Sequence, residues 1–152
     1  MRSRILFVAL LTATISTSGS ALQRQAPQGP VVEVYKDPTC GCCTNWVKHL
    51  QDNGFVTKVM EVSNLADIKS EHKIPSQAQS CHTATVDGYV VEGHVPAADV
   101  RRLLKERPAV LGLAVPGMPI GSPGMKVPNV KPSPYNVVTF DQQGQLKVFA
   151  SH

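Results

Sequence analysis

Three cysteines in four residues, Cys40-Gly41-Cys42-Cys43, stand where one periodicity gives way to another, and this junction constrains the fold more than any other feature. Upstream, Val31 to Lys36 is a short run of β-branched and aromatic residues stopped by Asp37-Pro38-Thr39. Downstream, Cys43, Trp46, Val47 and Leu50 recur at helical spacing until Asn53-Gly54. A strand therefore hands over to a helix through a cysteine turn. Helix N-terminal N–H groups favour anions, so these thiols are expected to have lowered pKa values, and Gly41 is expected to let the turn pack tightly.

The same reading continues along the chain. Phe55 to Val62 is a second strand with Met60 in the core, Asn64 can cap a short helix to about His72, and a strand from Cys81 to Val86 reaches Asp87-Gly88, a hairpin signal leading into Tyr89 to Val91. A third helix, Ala97 to Arg107, buries Val100, Leu103 and Leu104, while Trp46 and Tyr89 read as core anchors. The order βαβ, α, hairpin, α predicts an α/β fold of thioredoxin-like layout, a mixed sheet with flanking helices over residues 31–110. From Leu111 to Pro134 six prolines and four glycines accumulate, which argues against helix or central strand there. A long loop of this kind is functional or disordered, and it carries Met118 and Met125. Val137 to Phe140 and Gln145 to Phe149 can pair as a closing hairpin, so residues 111–152 form a Gly/Pro-rich C-terminal extension.

The first residues address the product. Arg2 and Arg4 precede an apolar run from Ile5 to Leu11 too short to span a bilayer, and small residues up to Ala21 suit cleavage, so residues 1–21 are expected to be a signal peptide and 22–30 a flexible lead-in. Losing Arg2 and Arg4 lowers Lys plus Arg from 15 to 13 against 11 acidic residues, which takes the net charge from +4 to +2. The basic balance therefore points to no polyanion, and no Lys/Arg cluster with interleaved aromatics marks a nucleic-acid binder. The expected product is a monomer in an oxidising space such as the periplasm, without membrane insertion after cleavage.

Sulfur is the only chemistry on offer, because no nucleophilic serine motif, P-loop, dinucleotide fingerprint or paired-carboxylate pattern occurs. Cys40 and Cys43 have the C-x-x-C spacing of a thiol-disulfide oxidoreductase, but Cys42 is superfluous there, whereas three clustered thiols suit a soft metal. Cys81 opens the strand expected beside the first and can supply a fourth sulfur. Four thiolates suit Zn(II) or bridged Cu(I), and two structural disulfides are the bland alternative. The spacing is a poor match to zinc ribbons, and the thioethers Met118 and Met125 suit Cu(I), although methionines also fill core gaps. His82 and His94 are candidate imidazole ligands, a role a lone histidine seldom has, and His49 and His72 read as surface.

The motifs together are familiar. Cys40-Gly41-Cys42-Cys43 after a strand, Ser80-Cys81-His82-Thr83-Ala84, Gly88 to Pro96, and Gly112-Leu113-Ala114-Val115-Pro116-Gly117-Met118-Pro119 with Gly121-Ser122-Pro123-Gly124-Met125 resemble the CopG-like family of bacterial periplasmic copper proteins, formerly a domain of unknown function. The resemblance spans roughly Val31 to Met125. It implies a thioredoxin-like domain whose C-terminal extension helps bind metal, a cysteine-bridged multinuclear copper cluster on Cys40, Cys42, Cys43 and Cys81, and copper resistance through interconversion of Cu(I) and Cu(II). It also adds weight to Met118, Met125 and His94 as ligands. The implied partners are copper ions and periplasmic copper efflux or resistance proteins. Three functions stay open: a copper protein that buffers the metal or acts as a copper oxidoreductase, a metal-free thiol oxidoreductase using Cys40 and Cys43, and a non-catalytic copper metallochaperone.

Overall fold

A computed structural model describes residues 29–152; the expected signal peptide and residues 22–28 of the lead-in lie outside the described residues. The chain folds as β1 (Val31–Lys36), α1 (Gly41–Asp52), β2 (Val56–Glu61), α2 (Leu65–Glu71), a 3-10 turn (Ser76–Ala78), β3 (His82–Val86), β4 (Tyr89–Glu92), α3 (Ala97–Glu106), β5 (Gly112–Ala114), β6 (Asn136–Phe140) and β7 (Leu146–Ser151). The strands make one mixed sheet in the order β2-β1-β3-β4-β5-β6-β7. β1 pairs parallel with β2 across the α1 crossover and antiparallel with β3, and β4 pairs parallel with β5. This mixed α/β architecture is compatible with the thioredoxin-like layout expected over 31–110, and β5 to β7 continue the same sheet.

The side-chain alternation of the central strands divides the core between two faces. On one face Val32, Val34, Ala84, Val86, Val91 and Leu113 meet Trp46, Val47 and Leu50 of α1 and Val100 and Leu103 of α3. On the other, Val90, Ala114 and Phe140 close under Ile74 and Ala78. The alternation sends neighbours in β3 opposite ways: His82 goes to the α1 face and lies against Trp46, while Thr83 goes to the α2 face and meets Lys69.

Several local expectations are corrected. The Leu111–Pro134 stretch does contain a central strand, because β5 ends at Ala114, before the first proline of the stretch, and inserts between β4 and β6. Gly112 makes that insertion possible, since a Cβ there would lie 1.9 Å from the Val90 carbonyl oxygen. Met60 is half-buried on the edge strand β2 rather than in the core. Asn64 occupies the N-cap of α2 with no side-chain capping bond. Gly41 is not needed for tight packing, as a Cβ there would meet nothing within 4 Å. His49 and His72 are half-buried, and His49 Nε2 accepts the Ala97 N–H at 3.1 Å, which links α1 to the start of α3.

Two glycine substitutions should therefore part company in urea unfolding. Gly112→Ala should cost about 2 kcal/mol or more through overpacking of the sheet centre. Gly41→Ala should stay within about 0.5 kcal/mol of the parent, being an open helical position.

Candidate metal centre

The N-terminus of α1 is built from sulfur. Cys40 is its N-cap residue, with an extended backbone, and Cys40 Sγ accepts the Cys43 N–H at 3.3 Å, the bond a Ser or Asp side chain usually accepts. Asp37 prepares the turn: its carboxylate accepts from the N–H and hydroxyl of Thr39, bonds that lower its pKa, and its carbonyl accepts the Cys40 N–H. Cys43 is fully buried, whereas Cys40 and Cys42 are half-buried.

The fourth sulfur arrives from the residue preceding β3, the strand paired antiparallel with β1. Cys81 Sγ lies 3.6 Å from Cys43 Sγ, and Cys42 Sγ lies 3.5 Å from Cys40 Sγ. All four sulfurs fall within 4.8 Å of one another. Cys40 and Cys43 are joined by a disulfide, and Cys42 and Cys81 are free thiols.

Imidazoles extend the group on the Cys81 side. His94 Nε2 is 3.0 Å and His82 Nδ1 3.4 Å from Cys81 Sγ, so Cys81, His82 and His94 form a second set of mutually close donors. The tautomer of neutral His94 follows from its other nitrogen, which lies 2.8 Å from the Pro123 carbonyl oxygen. A carbonyl can only accept, so Nδ1 carries the proton and Nε2 presents its lone pair to Cys81 Sγ. Burial lowers the pKa of both His82 and His94, and for His82 the nearby His94 and Lys69 add to the effect, so both rings are neutral at pH 7, the form that binds metal. His82 Nε2 is buried without a hydrogen-bond partner. Burial, and then the neighbouring Cys42, pushes the Cys81 thiol up to about 12. A metal ion that binds this sulfur must displace its proton.

The Gly/Pro-rich stretch covers the helix end as a strap. At Gly124 it runs so close to α1 that a Cβ would stand 2.7 Å from the Cys42 carbonyl oxygen and 2.9 Å from the Trp46 nitrogen. Its carbonyl at Pro123 aims His94, and Ser80 Oγ donates to the Gly117 carbonyl. Met125 is half-buried in a tight turn closed by bonds from the Met125 N–H to Ser122 O and from the Gly121 N–H to Met125 O. Met118, 52% exposed, stands at the outer rim. The structure thus brings together Cys40, Cys42, Cys43, Cys81 and His94, adds His82, and holds the two methionine-bearing turns beside them.

A buried charge network lies behind Cys81, and the residue pattern alone did not reveal it. The Glu92 carboxylate, fully buried at the end of β4, accepts from Lys69 Nζ at 2.5 Å, from Thr83 Oγ1 at 2.7 Å and from the Ser80 N–H at 2.6 Å. Burial raises the Glu92 pKa, and the Lys69 ammonium opposes the shift. The one visible signal was an acidic residue ending the apolar run Tyr89 to Val91.

Comparison with known proteins places this geometry. Residues 78–125 match the family model described as "Protein of unknown function, DUF411". Two solved structures of copper resistance protein CopG, forms 1 and 2, are each 42% identical to this chain, with a TM-score of 0.77. Each match covers 82% of this chain and 98–99% of the CopG chain. No curated protein matches the sequence.

Glu92→Gln keeps the shape but leaves Lys69 buried without a counter-charge. It should lower stability by about 3 kcal/mol in urea unfolding, and Lys69→Met in the same chain should recover part of the loss. An unchanged unfolding midpoint for Glu92→Gln would remove the network from the framework of the site.

Proposed function

We propose, since this chain belongs to the CopG copper-resistance family, that it acts in copper resistance by holding Cu(I) on the sulfur group at the start of α1. The observation that carries the reading is the convergence of four sulfurs within 4.8 Å, one of which, Cys81, lies 3.0 Å from the unprotonated Nε2 of His94. In the reduced chain Cys40, Cys42, Cys43 and Cys81 would be the soft ligands, with His94 as the first imidazole. The partnerless Nε2 of His82 and the proximity of its Nδ1 to Cys81 favour His82 as a further donor. Met118 and Met125 are the proposed thioether ligands, carried by the two turns of the strap.

Thiolates that bridge ions allow more than one copper in so small a volume, so the cargo is a cysteine-bridged multinuclear Cu(I) cluster. Copper supplies a soft acceptor and a one-electron couple; the chain supplies donors held in register by the N-cap, the β3 turn and the strap. The same reading places the protein in the periplasm after removal of residues 1–21, as a monomer that passes copper to or from efflux or resistance proteins. Among the described residues no helix is long and apolar enough to cross a membrane. The Cys40–Cys43 disulfide favours a second reading, a metal-free thiol-disulfide oxidoreductase.

Anaerobic titration of the reduced protein with Cu(I), against a competing chelator, should show more than one copper per chain. Replacing Cys40, Cys42 and Cys43 together by Ser should abolish tight binding, and retention of it would overturn the proposal. Replacing His94 by Ala should weaken binding by about 10- to 100-fold, the usual effect of losing a group that completes or orients a metal site.

A further inference from the structure

The four sulfurs fall into two pairs with different chemistry. Cys40 and Cys43 face each other across the first turn of α1, with Cα atoms 5.4 Å apart, and are disulfide-bonded. Cys42 and Cys81 are free, and each flanks one end of that disulfide, at 3.5 Å from Cys40 Sγ and 3.6 Å from Cys43 Sγ. Cys81 alone of the four also faces the two imidazoles. Closing the disulfide therefore removes two sulfurs from the donor set and leaves Cys42, Cys81, His82 and His94 in place.

We propose that the Cys40–Cys43 dithiol is the electron source for reduction of Cu(II) within the site, while Cys42, Cys81 and His94 hold the Cu(I) produced. This rests on the copper-binding reading above and adds to it a reductant carried by the chain itself. The step balances: the two S–H bonds of Cys40 and Cys43 break, one S–S bond forms, two protons leave, and the two electrons released convert two Cu(II) to two Cu(I). Imidazole and thiolate together give Cu(II) a landing place, whereas the product prefers the softer pair.

Resetting the site needs a dithiol reductant of the thioredoxin class. Its thiolate attacks Cys40, which is half-buried, since Cys43 is sealed inside. Cys43 then leaves as the thiolate, the reductant's second thiol displaces Cys40, and the reductant ends as a disulfide.

The test uses the full chain, reduced and freed of reductant under anaerobic conditions. It is mixed with Cu(II) in the presence of bicinchoninate, which reports Cu(I) by colour. About two Cu(I) should appear per chain, two of the four thiols should be lost, and peptide mass mapping should place the new disulfide between Cys40 and Cys43. The variant Cys40→Ser with Cys43→Ser should form Cu(I) at least about tenfold more slowly. A disulfide mapped to any other pair, or a parent-like rate in that variant, overturns the proposal. The mapping is made on the parent chain, so the result stands even where the variant folds poorly. A parallel titration with Cu(I) separates the two ideas: Cu(I) bound without Cu(II) reduction defeats only this inference, whereas failure to bind Cu(I) defeats the copper-binding reading itself.

Discussion

The site depends on one buried hydrogen bond. Trp46, in the second turn of α1, donates from Nε1 to the Val95 carbonyl at 2.8 Å, with its ring fully buried between helix and sheet. Its ring centroid also lies 4.4 Å from that of His82. A single side chain thus connects the helix that carries Cys42 and Cys43 and is capped by Cys40, the strand that begins with His82 and the turn that carries His94. An indole N–H left without a partner in this interior would cost on the order of 1–3 kcal/mol, so α1 cannot slide along the sheet without a large penalty. The placement of the α1 sulfurs relative to Cys81, His82 and His94 is tied to this contact.

His94 and the residue before Cys81 are each set by groups that are not themselves candidate donors. The Pro123 carbonyl chooses the tautomer of His94, and Gly124 lets the strap come close enough for it to do so. Glu92 holds the Ser80 N–H, and Ser80 in turn holds Gly117, so the residue before Cys81 and the residue before Met118 share one anchor. The anchor is a buried ion pair, which is a poor device for stability alone, because desolvation offsets much of the attraction. Its use here is geometric: an acceptor on β4 that three donors from α2, β3 and the Cys81 turn must all satisfy at once.

How much of this the sequence disclosed follows from the range over which each signal acts. Val31 to Lys36 and the spacing of Cys43, Trp46, Val47 and Leu50 are local periodicities, and both elements formed where expected. The thiols at the helix start were legible for the same reason. Strand β5 was hidden because its three residues are too few to show alternation, and its pairing depends on Gly112 fitting against Val90, a long-range condition. Met60 looked like core because strand composition does not tell an edge from a centre. Lys69 and Glu92 lie 23 residues apart, and nothing in either segment announces the other. His82 was one candidate among several until the β3 alternation turned it toward Trp46 and Cys81.

The arrangement of elements also explains why two kinds of chemistry can share one helix end. A disulfide between Cys40 and Cys43 needs only the local geometry of the first helical turn, which α1 supplies regardless of the rest of the sheet. The proposed metal site needs Cys81 and His94 as well, and those come from the residue before β3 and the turn after β4, held by long-range contacts. Local and long-range donors therefore meet at one place, and Cys43 stands where they join, bonded to Cys40 and within 3.6 Å of Cys81. In the copper-binding reading, a change in the oxidation state of the local pair would alter the set of sulfurs offered beside Cys81. The coupling runs through the sulfur of Cys43, and the third cysteine has a separate part: Cys42 keeps a free thiol at the helix end when Cys40 and Cys43 are oxidised.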